Sequence, residues 1–202
     1  MTTRETVPTA RNRARVHNRD REEDILVAAR AVFEEHGFDA ASVAEIARRS
    51  RVAEGTIYLY SATKRELLQK VVARWYEGLI ANIGPELAAR EGARAKLSHF
   101  ARAHLRAIGD DAAIGRLLVR ELRSAEDYRA SPLRALNARY VRLFGDIFRD
   151  GVASGEILAD ARPDVARDMF FGGLEHLALG GAETRGDAEE AFFGLFWRAV
   201  AR

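Results

Sequence analysis

Four groups between Thr56 and Lys64 are suited to phosphate oxygens: the hydroxyls of Thr56, Tyr58 and Tyr60 and the ammonium of Lys64. Such donors fix a protein's register on a nucleic-acid backbone. Ser42, further upstream, adds a hydroxyl of the same kind. Ala53, Glu54, Gly55 and Leu59 have the character of groups that meet base edges or thymine methyls in a major groove. Glu54 either accepts from a cytosine amino group or is a charge near a helix start with no reading role. Gly55 costs up to about 1 kcal/mol near a helix start, which makes sense where a DNA backbone must approach closely. Taken alone, the same residues also fit an ordinary solvated helix face.

The elements that would hold these groups form a helix-turn-helix. Ser42 and Glu45 have capping-box spacing, so a helix is predicted from Val43, with Val43, Ala44, Ile46 and Ala47 as its apolar side. Arg48 and Arg49 suit the negative end of its dipole. Ser50 and Arg51 break the pattern, Val52 anchors the break, and a second helix begins at Ala53–Thr56 with Ile57 inward. Thr63 and Glu66 repeat the capping-box spacing, and a third helix starts near Lys64. Helices this short need neighbours. Asp20 and Glu23 have cap spacing ahead of Ile25, Ala28, Ala29, Val32 and Phe33, a helix that Gly37 ends. Leu67, Leu68, Val71, Val72, Trp75 and Leu79 make a long helix that Gly84-Pro85 should end.

The stretch Ile25 to Leu68, ILVAARAVFEEHGFDAASVAEIARRSRVAEGTIYLYSATKRELL, resembles the TetR-type transcriptional regulators, through its spacing, the Gly55–Tyr58 core and Lys64. The match is close over about a quarter of the chain; the remainder agrees only in length and helix layout. Two positions depart from the family pattern. Arg51 stands where glycine is usual, which is costly if that residue needs φ > 0, although an arginine there could reach a phosphate. Ser61 stands where phenylalanine is usual, which weakens an anchor between the recognition helix and the next. The resemblance assigns Ser42, Arg51, Ala53, Glu54, Gly55, Thr56, Tyr58, Leu59, Tyr60 and Lys64 to DNA contact.

The remainder of the chain keeps helical periodicity with no strand alternation. Stripes run through Leu97–Ile108, Ile114–Leu122, Leu136–Phe148, Val165–Ala178 and Phe192–Val200, with Ser131-Pro132 and Pro163 as helix starts. We therefore expect an all-α protein of about nine helices: a basic flexible arm over 1–19, a DNA-binding head over 20–81 with its helix-turn-helix at about 43–62, and a helical domain over 85–202. The last helices carry apolar residues on more than one side, so both stripes are internal or one meets a second subunit. The resemblance implies the second: a homodimer through Phe170, Leu174, Phe192, Phe196 and Trp197. It also implies a small-molecule pocket in the middle helices. There His104, Glu121, Tyr140, Phe144 and Met169 are the candidates, although lone histidines and tyrosines on core faces are commonly structural. The aromatic and aliphatic surplus favours an apolar or amphipathic effector.

Composition bounds the rest. The 202 residues contain no cysteine, which excludes disulfides and thiol chemistry, and net charge is only +2. The basic character sits at the front, where Arg4, Arg11, Arg13, Arg15 and Arg19 oppose Glu5 alone; such an arm can track phosphates or enter a minor groove. No apolar run approaches the roughly 18 residues of a membrane span, and no signal-peptide core is present, so a cytoplasmic location is expected. No cofactor or metal is expected, since His99 and His104 are five residues apart and no H-E-x-x-H occurs. The expected function is a ligand-responsive repressor binding double-stranded operator DNA, not an enzyme. The rival readings are an architectural DNA-binding protein without effector, and a helical adaptor whose helix-turn-helix no longer binds DNA.

Overall fold

The computed structural model describes residues 10–110, 114, 131–179 and 185–202. Among these there are eight helices: α1 (Ala10–Ala40), α2 (Val43–Arg49), α3 (Glu54–Tyr60), α4 (Lys64–Ala88), α5 (Ala93–Asp110), α6 (Pro132–Ser154), α7 (Pro163–Leu179) and α8 (Arg185–Val200). The stripe expected at Ile114–Leu122 lies outside the described residues except for Ile114, which is helical and fully buried. The chain divides into two compact units, residues 1–71 and 72–202.

The first unit is built on α1, which begins ten residues before the expected cap at Asp20. No glycine or proline lies between Ala10 and Gly37 to stop it, and the chain is helical from Ala10. Gly37 breaks the helix at φ 72°, ψ 179°, a conformation L side chains avoid. Ile25, Ala29, Val32 and Phe33 recur at helical spacing and are buried with Ile46 and Ala47 of α2, Ile57 of α3, and Leu67, Leu68 and Val71 of α4.

The capping signals divide. Thr63 makes the expected cap bond, the Glu66 N–H donating to Thr63 Oγ1 at 3.0 Å, while Glu66 Oε2 accepts from the N–H of Ala62, the residue before the cap, at 2.8 Å. Ser42 is the N-cap of α2, but its hydroxyl makes no cap bond. Glu45 instead accepts from Arg48 at 2.7 and 2.8 Å and from Arg49 at 2.7 Å. These arginine hydrogen bonds, Arg48 first, hold the Glu45 carboxyl down to about 2. A guanidinium offers the carboxylate a full opposite charge and several donors where a backbone N–H offers one dipole, so the arginines take it.

In the second unit α4 runs through Pro85 to Ala88 rather than stopping at Gly84. Ile83 and Leu87 lie one turn apart and are both buried, so continuing the helix covers apolar surface that stopping would expose. Ser131-Pro132 and Pro163 open α6 and α7 as expected, and Gly155 caps α6 in the left-handed conformation. Glu156 then reaches back and accepts the Ala93 N–H at 2.9 and 3.0 Å, capping α5 from 63 residues away. That backbone bond lowers its pKa first, with the Arg94 amide and Ser154 hydroxyl adding to it. An antiparallel bridge, Ile157 to Ala201, ties this corner to the end of α8.

Candidate functional site

The helix-turn-helix forms over α2, the turn at residues 50–53, and α3. Ser50 ends α2 with its hydroxyl donating to the Ile46 carbonyl at 2.8 Å. Arg51 then takes φ 57°, the one positive-φ residue other than glycine among those described. This conformation costs an L residue about 1–2 kcal/mol, the penalty its departure from glycine implies. Arg51 is exposed and lines an open hollow of about 470 Å³ with Asp24, Val27 and Ala31, so it borders α1. Ala53 is the N-cap of α3, its carbonyl accepting the Thr56 N–H at 2.8 Å.

On α3 the two faces separate cleanly. Ile57 is 1 % exposed and faces the core, while Glu54, Gly55, Tyr58 and Leu59 form an exposed face one turn deep. Thr56 and Tyr60 flank it, half-buried, and Ser42 stands exposed at the start of α2. The structure thus brings Glu54, Gly55, Tyr58 and Leu59 together.

Lys64 is placed differently from a free phosphate donor. Its ammonium donates to the carbonyls of Asp39 and Ala41 at 3.0 Å each and sits 4.8 Å from the centre of the Phe38 ring. It closes the end of α1 against the start of α4. Lys70 does similar work, donating to the Tyr60 carbonyl and to Glu22, and Arg49 clamps Glu35 with two bonds of 2.6 and 2.7 Å. Lys64→Ala should therefore lower the stability of the DNA-free protein by about 1 kcal/mol, since two charged hydrogen bonds, one exposed and one part-buried, are lost. Unfolding of the free variant measures this; an unchanged melting curve would return Lys64 to a purely external role.

Ser61 shows what its departure from phenylalanine does. The residue is 2 % exposed, and its hydroxyl has no hydrogen-bond partner among the described residues. An unmet buried hydroxyl is destabilising.

In the second unit His104, Tyr140 and Phe144 come together, and Glu121 lies outside the described residues. His104 Nδ1 and the Tyr140 hydroxyl are joined by a 3.0 Å hydrogen bond, both groups buried. Burial pushes the Tyr140 hydroxyl well above its ordinary range, so it stays protonated and able to donate. Phe171 touches all three, with ring centres 5.2 Å from His104, 6.0 Å from Tyr140 and 5.8 Å from Phe144. Met169 does not join them; it is 50 % exposed, turned about 100° around α7 from the buried Phe170. An open cavity of about 570 Å³ lies elsewhere in this unit, lined by charged groups including Arg94, Arg102 and Glu189 and by Phe193. Arg102 and Glu189 pair across it at 3.0 Å.

Of the five expected interface residues, Phe170, Leu174 and Phe196 belong to the protomer's own core. Helical periodicity identified their stripe, but the rings of Phe144 and Phe170 cover Phe196 from within the same chain. Phe192 is half-buried against Gly173, where a Cβ would lie 2.2 Å from its ring. Trp197 is half-buried and stacks on Phe193. Among the described residues, the large apolar side chains left in solvent on α7 and α8 are Val165, Met169 and Leu195. The sequence placed Val165 and Met169 in the same apolar run as Phe170 and Leu174, and nothing in it ranked one side of either helix above the other.

Among the described residues no helix is long and apolar enough to cross a membrane, and no group of three or more metal-ligating side chains gathers.

Comparison with known proteins agrees with this architecture. The family model for bacterial regulatory proteins of the tetR family matches residues 25–71, and that for the tetracyclin repressor-like C-terminal domain matches residues 90–179. The chain is 26% identical over 151 residues to the fatty acid metabolism regulator protein of Bacillus subtilis (strain 168), covering 75% of this chain and 78% of that one. It is 23% identical over 176 residues to the HTH-type transcriptional regulator UidR of Escherichia coli (strain K12), covering 87% and 88%. Its fold is similar to that of the transcriptional regulator FadR from Bacillus subtilis in complex with stearoyl-CoA, with a TM-score of 0.75 at 24% identity over 86% of this chain and 96% of that one. With residues 25–71 and 90–179 both matched, the chain belongs to the TetR family of bacterial regulatory proteins.

Proposed function

We propose that this protein is a transcriptional repressor that binds operator DNA as a homodimer and is released by a small apolar or amphipathic effector. It acts in the cytoplasm, at the nucleoid when bound to DNA. The observation that carries the DNA reading is the exposed face Glu54–Gly55–Tyr58–Leu59 on α3, backed by Ile57 in the core. Tyr58, Thr56 and Tyr60 on α3 and Ser42 at the start of α2 supply hydroxyls for phosphates, and Arg51 supplies a guanidinium in the turn. The aromatic cluster around His104 and Tyr140 supports an effector with an apolar body and one polar group. The similar FadR structure holds stearoyl-CoA, which makes a long-chain acyl-CoA the first probe.

The test has two stages. Selection from a random duplex pool should return a near-palindrome with half-sites about 34–36 Å apart or a small multiple of that. Stearoyl-CoA, or another hydrophobic compound that binds, should then weaken operator affinity about 5- to 150-fold at saturation, and operator should weaken its binding by the same factor. Failure to select any sequence would remove the DNA reading. Equal ligand affinity for free and operator-bound protein would remove the switch.

A further inference from the structure

We propose that Leu59 selects operator sequence by packing on the C5-methyl of a thymine, and that this contact, rather than hydrogen bonding to purines, is the main base-reading device of α3. The inference rests on the DNA reading above and assigns it a chemistry. Leu59 is 83 % exposed, more than any other large apolar residue described. It lies about 160° around α3 from Ile57, next to Gly55, at the edge of the exposed face that also holds Glu54 and Tyr58. No part of the head covers it, so in the free protein it stands in water.

The residues around Leu59 narrow what it can meet. The α3 sequence, Glu-Gly-Thr-Ile-Tyr-Leu-Tyr, holds no arginine, lysine, asparagine or glutamine. Those are the side chains that read guanine and adenine edges with paired hydrogen bonds. What α3 offers a major groove is a carboxylate, hydroxyls and one large aliphatic group. Thymine is the one base with an apolar group on its major-groove edge. Gly55, one turn before Leu59, adds a second observation. A Cβ built there meets no protein atom within 4 Å, and its backbone is not in the left-handed region. The protein itself therefore does not require glycine at 55, and a side chain there would stand in front of Leu59's face. A bare backbone at 55 lets the groove floor reach Leu59.

Deoxyuridine substitution isolates the methyl, because it removes that group and leaves every hydrogen-bonding atom of thymine in place. The full chain first selects its operator; each thymine of the half-site is then replaced singly, in both half-sites together. For the wild type, one position should lose affinity by about 4-fold per half-site, the worth of one buried methyl. Leu59→Ala should bind the unmodified operator more weakly and show no loss at that position. Leu59→Met, which keeps an apolar contact, should retain the sensitivity. Circular dichroism should show both variants folded, as expected for an exposed site. If every deoxyuridine substitution costs the same in wild type and Leu59→Ala, the proposal is wrong. If Leu59→Ala binds the operator as the wild type does, Leu59 serves some other partner and the proposal again fails. If the wild type selects no sequence at all, the DNA reading itself has failed, an outcome distinct from these two.

Discussion

Phe144→Ala should lower the stability of the second unit by about 3–5 kcal/mol, the range for deleting a fully buried phenylalanine ring. Phe144 is 1 % exposed. Its ring centre lies 5.0 Å from that of Phe170, 5.7 Å from Phe148, 5.8 Å from Phe171 and 6.3 Å from Phe196. Four rings on three helices lose a common neighbour, and each forfeits dispersion contact the others cannot restore. The two tryptophans, Trp75 and Trp197, both lie in the second unit, so their fluorescence in urea follows that unit specifically. The outcome also bears on the effector. A residue lining an open ligand cavity would cost little stability and mainly alter the ligand response. A loss under about 1 kcal/mol would therefore move Phe144 from the core to a cavity wall.

Leu195→Glu should convert the dimer to folded monomers, whereas Phe196→Glu should unfold the protein. The two residues are neighbours in sequence but lie 100° apart around α8. Leu195 is 63 % exposed and Phe196 is 3 % exposed. Together with Val165 and Met169 of α7, Leu195 is apolar surface on two helices that pack on each other, as a dimer seam requires. A carboxylate placed in such a seam without a partner costs several kcal/mol, so the dimer Kd should rise by at least about 100-fold. Operator affinity should fall with it, because one head reaches only one half-site. Sedimentation measures the mass and circular dichroism the fold. A Leu195→Glu protein that keeps its dimer mass would put the seam elsewhere.

The sequence by itself determined the kind of protein and most of its helix boundaries. Gly37, Pro132, Gly155 and Pro163 mark breaks because their backbones restrict or permit particular dihedrals wherever they occur. The two faces of α3 follow from spacing, since Ile57 and the outward group Glu54, Tyr58 and Leu59 differ by fixed angles around a helix. Arg51 at positive φ was legible too, because the departure from glycine already named the cost.

Tertiary structure decided which partner each group takes. Ser42 and Glu45 have the same capping spacing as Thr63 and Glu66, yet Glu45 goes to Arg48 and Arg49 because charged donors are in reach. Lys64 has the chemistry of a phosphate donor, but the chain end at Asp39 and Ala41 folds back beneath its ammonium from more than twenty residues away. Pro85 signals an end, and burial of Leu87 overrides it. On α8 the periodicity shows two apolar stripes without ranking them; Phe196 is core because the rings of α6 and α7 arrive on that side. Periodicity is a local property of one helix, set by its 3.6-residue turn. What covers each face depends on segments distant in sequence, and only the folded chain brings those together.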